Sequence, residues 1–219
     1  MSRIKNDNAP DYHLIPHREP SKGRRQVTRE FLDDVENHAA ELRRRAGVGP
    51  HEKLAPRLLA EQFNVIIPEI EDLTALALED REYLSGVDAK VWSGAGVPLP
   101  DGRLLILLNP RQTTERATVT IMEEVAHVYL GHQPSRIESL PNGVQKREYD
   151  HDKEWEAYSV AAAAMLPQYA VARSVWERRS AESLATEYGA STELVEMRIK
   201  LLRLWPDHIG SYRKSRRVG

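Results

Sequence analysis

Hydrophobic residues recur at helical spacing early in the chain. They fall three or four positions apart at Phe31, Val35, Ala39, Leu42 and Ala46. This spacing predicts an amphipathic helix, and Gly47 is a suitable residue to end it. A second helix is predicted from Leu54 to Phe63.

After Phe63 the apolar residues occur in short continuous runs, which are typical of strands. Val65 to Pro68 predicts a short strand, whereas residues 69–86 are ambiguous, with helix expected in part. Two further strands, Val87 to Trp92 and Arg103 to Asn109, predict a hairpin. The loop that joins them, from Ser93 to Gly102, is rich in Gly and Pro.

Helical spacing returns after the hairpin. A helix is predicted from Thr113, a suitable N-cap residue, to about Gly131. Its apolar face carries Ala117, Ile121, Val125 and Val128. A loop follows to Tyr149, and the next predicted helix runs from about Lys153 to Leu166. Its alanine run, Ala161 to Ala164, favours close packing against a neighbouring element.

The last part of the chain predicts two helices joined by a turn. Ala181 to Glu187 forms the first helix, and residues 188–190 form the turn. Ser191 then caps a second helix from Thr192 to about Leu204. This arrangement is typical of a helix-turn-helix unit.

Composition excludes several classes of protein. The chain has 219 residues and no cysteine, which rules out a disulfide framework, a thiol nucleophile and a zinc finger built on cysteines. No apolar run is long enough to span a bilayer, so a cytoplasmic protein without membrane contact is expected. Residues 1–25 and 206–219 show no regular spacing of hydrophobic residues. The first segment predicts a flexible N-terminal tail, and the second predicts a basic tail.

The net charge of −2 hides an uneven distribution of charge. Residues 1–30 carry 7 Lys/Arg against 4 Asp/Glu, and residues 168–219 carry 10 against 6. Residues 31–167, in contrast, carry 14 Lys/Arg against 23 Asp/Glu. The acidic middle suits a bound cation, and the basic ends suit an acidic partner.

The pentapeptide EEVAH, residues 123–127, lies in the middle of the helix predicted after Thr113. Glu123 and His127 are four positions apart, about 40° around the axis and one turn along it. Both side chains therefore project from one face and can share a metal ion. Glu124 lies beside that face, where its carboxylate can reach a water at the metal. This is the geometry of the H-E-x-x-H zinc helix, in which the glutamate is the general base.

Glu123 stands where that motif has its first histidine. A carboxylate binds zinc at about the same distance as histidine, but it adds a negative charge. If the third ligand is also a carboxylate, the site is neutral with a divalent ion, whereas two histidines and one carboxylate leave a charge of +1. We therefore expect weaker activation of water, or a preference for a harder metal such as Mn2+ over Zn2+.

Glu154 is the candidate third ligand because it opens the next predicted helix, which can deliver its carboxylate to the same ion. Three protein ligands leave a fourth position open, as a catalytic metal requires. A structural alternative exists for each part of the site. Glu154 is also a charge favoured by the dipole at a helix N-terminus, and the EEVAH motif also fits a solvated helix face.

Other potential ligands lie close by along the chain. His132 is about 140° around the helix from His127, so it joins the site only if the helix ends near Gly131. Asp150 and His151 precede Glu154 in the loop and are alternative ligands or bystanders.

Other side chains are candidates for a role in catalysis or binding. Arg116 either pairs with a carboxylate of the site or is an exposed helix residue. The strand from Val87 to Trp92 either contacts an extended peptide or only packs in the sheet. Candidates for stabilising an oxyanion are Tyr129, Tyr149 and Tyr158.

The surroundings of the motif resemble the ImmA/IrrE family of metallopeptidases. Its members show an apolar strand ending in Asn-Pro, then an arginine, then the zinc helix. Residues 107–110, Arg116 and residues 120–127 follow that order. The segment from Glu154 to Pro167 is similar to the family's downstream helix, which begins with the third ligand. The resemblance covers roughly residues 26–204.

The resemblance implies an α+β fold. A mostly helical, zincin-like peptidase domain with a small antiparallel sheet is expected over residues 26–167. A helical, helix-turn-helix-like segment is expected over residues 168–205. Position by position, the resemblance assigns Glu124 as the general base. The metal ligands that it implies for Zn2+ or Mn2+ are Glu123, His127 and Glu154.

The function that the resemblance implies is metal-dependent endopeptidase activity on a regulatory protein such as a transcriptional repressor. Because Glu123 departs from the family's histidine, a second hypothesis is a catalytically degenerate member that acts as a protein- or DNA-binding regulator. The predicted helix after Ser191 carries Glu193 and Glu196 in its N-terminal half, where a DNA-reading helix presents basic and amide residues. Duplex DNA is therefore the less favoured partner, reached through phosphate contacts of the basic tail.

Overall fold

The computed structural model describes residues 14–15, 27–86, 92–132, 137–139, 145–147 and 150–206. Within them the chain is mostly helical with a small sheet, which confirms the predicted α+β class. The helices are α1 (Arg29–Arg45), α2 (Pro56–Gln62), α3 (Leu78–Gly86), α4 (Thr114–Tyr129), α5 (His151–Met165), α6 (Gln168–Trp176), α7 (Ala181–Tyr188) and α8 (Thr192–Leu201). The strands are β1 (Leu14–Ile15), β2 (Val65–Ile66), β3 (Gly94–Pro98), β4 (Leu104–Leu108), β5 (Ile137–Ser139) and β6 (Gln145–Arg147).

Helices begin at the predicted hydroxyl caps. The Oγ1 atom of Thr113 accepts a hydrogen bond from the backbone N–H of Arg116 at 3.3 Å, which starts α4. Ser191 caps α8 in the same way, with its Oγ 3.2 Å from the backbone nitrogen of Leu194. Such caps satisfy N–H groups that have no partner within the helix. α1 ends just before Gly47, whose φ of +68° suits a glycine.

The main sheet is mixed, with the strand order β1-β3-β4-β2. β3 pairs antiparallel with both β4 and β1, whereas β2 pairs parallel with β4. A small antiparallel sheet was expected, and the parallel pairing of β2 corrects that expectation. The direction of β2 could not be read from its apolar residues, because a short run of that kind fits either direction. β5 and β6 pair antiparallel with each other.

β3 corrects the predicted hairpin. It forms within Gly94–Pro98, where the sequence predicted a loop. The predicted first strand, residues 87–92, lies outside the described residues except for Trp92, which belongs to no strand. The small residues of β3 have little strand preference of their own. Their pairing with the apolar strand Leu104–Leu108 explains why they are extended. Leu14–Ile15 lie in the segment predicted as a tail, and they form β1, which pairs with β3.

The core centres on α5, which packs against both α1 and α4. All four residues of its alanine run, Ala161 to Ala164, are at most 1% exposed. Small side chains let helix axes approach closely, and the predicted close packing of this run is confirmed. The arrangement fixes the first turn of α5 beside the middle of α4.

Replacing Ala161 by Leu is expected to lower the free energy of unfolding by about 1–3 kcal/mol, because a closely packed interior has no room for three extra carbons. Urea denaturation followed by circular dichroism measures this change. The matched control is Ala172→Leu on α6, at a half-buried position, which is expected to change stability by about 0.5 kcal/mol or less. Equal effects of the two substitutions would contradict the close packing argued for α5.

Candidate metal centre

The polar residues of the EEVAH motif, Glu123, Glu124 and His127, lie on the half-buried side of α4. The adjacent positions Met122, Val125 and Ala126 are fully buried in the core, which fixes the rotation of the helix. Glu123 and His127 are consequently half-buried and reachable from outside. The helical period of the apolar residues thus decides which way the polar side chains point.

The start of α5 presents Glu154. Asp150 is the N-cap of this helix, and its carboxylate accepts hydrogen bonds from the backbone N–H groups of Asp152 and Lys153. The bond from the Lys153 backbone contributes most to lowering the pKa of Asp150. The backbone N–H of Glu154 donates to the carbonyl of Asp150 at 3.0 Å, so Glu154 lies in the first turn of α5.

The packing of α4 against α5 brings Glu123, His127 and Glu154 together. Each of the three offers one ligand atom, and these atoms all lie within 4.8 Å of one another. The Nε2 atom of His127 is 3.8 Å from Oε2 of Glu154, and the two side chains are 17% and 18% exposed. The predicted ligands therefore form one cluster, and its metal-binding role stays a prediction.

The donor set and its dimensions fit a divalent metal ion. Ligands bound tetrahedrally at about 2.0–2.2 Å lie roughly 3.3–3.6 Å from one another. The separation of 3.8 Å between His127 and Glu154 is only slightly longer than that range. Small rotations of the glutamate side chains can close the remaining distance. Two carboxylates and one imidazole are ligands that both Zn2+ and Mn2+ accept.

Glu124 faces the sheet beside this cluster. A Cβ atom built on Gly96 would lie 3.2 Å from Oε2 of Glu124 and 3.6 Å from a methyl carbon of Leu104. The backbone of β3 therefore passes close to the carboxylate of the predicted general base. Sequence reasoning missed Gly96 because it fell in a predicted loop. A glycine inside a strand often marks such a close backbone approach, which is the signal that the sequence offered.

His132 adopts a position that the sequence left open. α4 ends at Tyr129, and Gly131 has a φ of +69°, which turns the chain back on the helix. The backbone N–H of His132 donates to the carbonyl of His127 at 3.0 Å. The ring of His132 contacts Nδ1 of His127, the nitrogen opposite the one that faces Glu154. As a ligand of the same ion it stays an untested alternative.

Glu156 of α5 contacts His132, which in turn contacts His127 on the side away from Glu154. Nδ1 of His132 is 3.0 Å from Nδ1 of His127, and Nε2 of His132 is 3.2 Å from Oε2 of Glu156. The side chain of His132 is only 8% exposed, whereas that of Glu156 is 42% exposed. Sequence reasoning did not single out Glu156, because it is an ordinary charged residue in the first two turns of a helix.

The other predicted residues lie at different distances from the cluster. Arg116 is seven residues before Glu123, about 10 Å along the helix axis. Asp150 acts as a helix cap, and His151 is the exposed first residue of α5. Their roles as partners or ligands of the site stay predictions.

The three candidate tyrosines differ in their surroundings. The hydroxyl of Tyr129 is 3.1 Å from Nδ1 of His38 on α1, and burial raises the pKa of this tyrosine. Tyr129 therefore contacts α1, and its role as an oxyanion donor stays a prediction. Tyr158 is half-buried one turn after Glu154 on α5, which leaves it as the better-placed candidate. Tyr149 lies outside the described residues.

The C-terminal helices pack on the rest of the chain. α7 and α8 contact each other, and α8 also contacts α5 and α6. Arg198 of α8 has no exposed surface, donates to the carbonyl of Leu166 at 3.1 Å and pairs with Glu36 of α1. This arginine therefore faces the interior and is not presented to a nucleic acid. None of the helices among the described residues combines the length and apolarity needed to cross a membrane.

Comparison with known proteins identifies one family model. The model of the IrrE N-terminal-like domain, Peptidase_M78, matches residues 86–200, which is just over half of the chain. No curated protein matches the chain. A solved structure of a Mycobacterium tuberculosis transcriptional regulator is similar, with 13% sequence identity and a TM-score of 0.47. The match covers 78% of this chain and 50% of that structure, so the chain spans half the length of this relative.

Proposed function

The chain belongs to the ImmA/IrrE family, whose IrrE N-terminal-like domain matches residues 86–200, and we propose that it is a metal-dependent endopeptidase. Its substrate in this proposal is a regulatory protein such as a transcriptional repressor. The observation that carries the proposal is the cluster of Glu123, His127 and Glu154, whose ligand atoms lie within 4.8 Å of one another. Glu124 lies next to this cluster and against the sheet.

The three clustered residues are the proposed ligands of Zn2+ or Mn2+. When bound, such an ion supplies a Lewis acid that polarises oxygen atoms of water and of a peptide carbonyl. The two glutamates balance the two charges of the ion, and His127 adds a neutral donor. Three protein ligands leave room for water and substrate.

Glu124 is the proposed general base. Its carboxylate accepts a proton from water, whose oxygen forms a bond to the carbonyl carbon of the peptide. The proton then passes to the amide nitrogen as the C–N bond breaks, which leaves a carboxylic acid and an amine. General acid–base groups of this kind contribute about 10²–10⁴-fold to a rate. The close approach of β3 at Gly96 supports this role, because the missing Cβ atom leaves room for the Glu124 carboxylate between α4 and the sheet.

The substrate is proposed to bind as an extended segment along β3. An extended peptide gains main-chain hydrogen bonds when it pairs with the edge of a sheet. β3 passes Glu124 at Gly96, and the two described residues of β1 pair with Gly94 and Ala95 of this strand. The predicted contact strand, residues 87–92, lies outside the described residues except for Trp92. Gly96–Pro98 is therefore the preferred site for pairing with a substrate.

A peptide library made by digesting a cellular proteome tests the proposal without knowledge of the natural substrate. The full chain is stripped with a chelator, reloaded with Zn2+ or Mn2+ and incubated with the library. Mass spectrometry is expected to detect new peptide termini only in the metal-loaded sample. New termini that form equally in the presence of chelator would identify a contaminating protease and contradict the proposal.

Glu123 favours one further candidate function. It replaces the histidine expected at the first ligand position, so loss of the ion would leave a family member that acts by binding a protein or DNA. The buried Arg198 and the acidic first turn of α8 speak against reading of the major groove by that helix. A protein partner is therefore the preferred form of this second candidate.

A further inference from the structure

We propose that His132 and Glu156 form a positioning pair that fixes His127 as a metal ligand. The pair holds the ring of His127 in one orientation and in one tautomer, with the hydrogen on Nδ1 and none on Nε2. The effect of this pair on metal affinity rests on the proposed function. The hydrogen bonds among His127, His132 and Glu156 do not depend on that function.

The pair is built by the end of α4 and the start of α5. The turn at Gly131 folds His132 back, and its backbone N–H is anchored on the carbonyl of His127. The two imidazole rings lie 5.1 Å apart at an angle of 65°. Glu156 reaches the far side of the His132 ring from α5. The two rings thus lie between Glu154 at one end and Glu156 at the other.

The direction of each hydrogen bond follows from the carboxylate of Glu156. A carboxylate only accepts hydrogen bonds, so Nε2 of His132 must carry the hydrogen in its 3.2 Å contact. The Nδ1 atom of a neutral His132 then has a lone pair and accepts. Nδ1 of His127 must therefore donate across the 3.0 Å contact. This leaves Nε2 of His127 without a hydrogen and 3.8 Å from Glu154.

That tautomer is the one that metal binding needs. A metal ion binds the bare nitrogen of a neutral imidazole, and the hydrogen bond of the other nitrogen selects which one is bare. With the opposite tautomer, the hydrogen on Nε2 would point toward the cluster and exclude the ion. Loss of such an outer hydrogen bond typically lowers metal affinity 10–100-fold.

Nuclear magnetic resonance of the metal-free, full-length protein tests the tautomer directly. With ¹⁵N-labelled histidine at pH about 8.5, where imidazoles are ordinarily neutral, ring couplings show which nitrogen carries the hydrogen. We expect hydrogen on Nδ1 of His127 and on Nε2 of His132. In Glu156→Gln the amide can donate as well as accept, so a mixture of tautomers is expected for both rings. Hydrogen on Nε2 of His127 in the unmodified protein would overturn the proposal.

Zinc affinity, measured by competition with a chelating dye, tests the consequence. His132→Phe keeps an aromatic ring but removes the acceptor, and we expect affinity to fall 10–100-fold. His132→Asn offers an amide oxygen to Nδ1 of His127 and is expected to recover part of that loss. The matched control is His51→Phe, at an exposed histidine that lies against Tyr169. Recovery of affinity in His132→Asn would show that the hydrogen bond to His127 matters. If the ring of His132 only filled space, the smaller amide would not restore zinc affinity.

Two outcomes separate this inference from the proposed function. Equal zinc affinity of His132→Phe and the unmodified chain would overturn the positioning role while leaving the metal site intact. If the unmodified chain binds neither Zn2+ nor Mn2+, the proposed function fails. The tautomers of the metal-free protein then still decide whether His132 and Glu156 direct the ring of His127.

Discussion

Replacing Glu124 by Gln is expected to lower peptide hydrolysis about 10²–10⁴-fold while metal content stays unchanged. An amide has no basic oxygen for the proton of water, so the step that creates the nucleophile is lost. Gln has nearly the same shape as Glu, so the approach of β3 at Gly96 is preserved. Because Glu124 is outside the three-residue cluster, the proposed metal ligands are all retained.

The measurement is kcat/KM for a peptide identified from the library, with the metal content of the same samples determined by elemental mass spectrometry. Glu115→Gln is the matched control, because Glu115 is an exposed glutamate in the first turn of the same helix. It is expected to change neither quantity. Cleavage by Glu124→Gln at the unmodified rate would remove Glu124 from the mechanism, whatever the metal content.

The spacing within α4 could be predicted from the sequence because a helix repeats regularly. The cap at Thr113 and the apolar positions fix both the start and the rotation of the helix. Glu123 and His127 must then share one face. The position of Glu154 cannot be read from spacing within one helix, because it depends on how α5 packs against α4. Its proximity to the cluster was expected because it opens the next predicted helix, and because the family's downstream helix begins with the third ligand.

Long-range pairing explains what the sequence could not predict. β3 contains Gly94 and Gly96, which disfavour a strand when read alone. Its extended form depends on β4, which supplies the apolar partner strand. The close approach of Gly96 to Glu124 is still harder to predict, because it depends on how the sheet packs against α4. A glycine in a strand signals a close backbone approach, but it does not say which side chain lies there.

His132 shows a similar limit at the end of a helix. Continued helical geometry would place its ring about 140° away from His127. The positive φ of Gly131 ends the helix and reverses this expectation. Gly131 was visible in the sequence, but the direction of the chain after a helix end is set by tertiary contacts. Arg198 is a comparable case, because its burial against Glu36 could not be inferred from a basic residue on an amphipathic helix.

Replacing Glu123 by Ala is expected to abolish stable metal binding. The purified full chain should carry about one equivalent of Zn2+ or Mn2+, and the variant should carry none, because two ligands seldom hold such an ion against competing water. Elemental mass spectrometry of protein purified without chelators measures this directly. Glu115→Ala is the control, since it removes a carboxylate from the same helix outside the cluster. Absence of metal from the unmodified chain, even after incubation with both ions, would favour the protein-binding function.

Replacing Glu123 by His separates the effect of charge from the effect of ligand number. The cluster would then hold two imidazoles and one carboxylate, and a divalent ion would keep a net charge of +1 instead of zero. Imidazole suits zinc, whereas carboxylates also suit manganese, so the preference is expected to move toward Zn2+. The comparison uses thermal unfolding with each ion, because an ion at about 100 times its Kd stabilises the folded state by about 2.7 kcal/mol. An unchanged difference between the stabilisation by Zn2+ and that by Mn2+ would mean that Glu123 does not contact the metal.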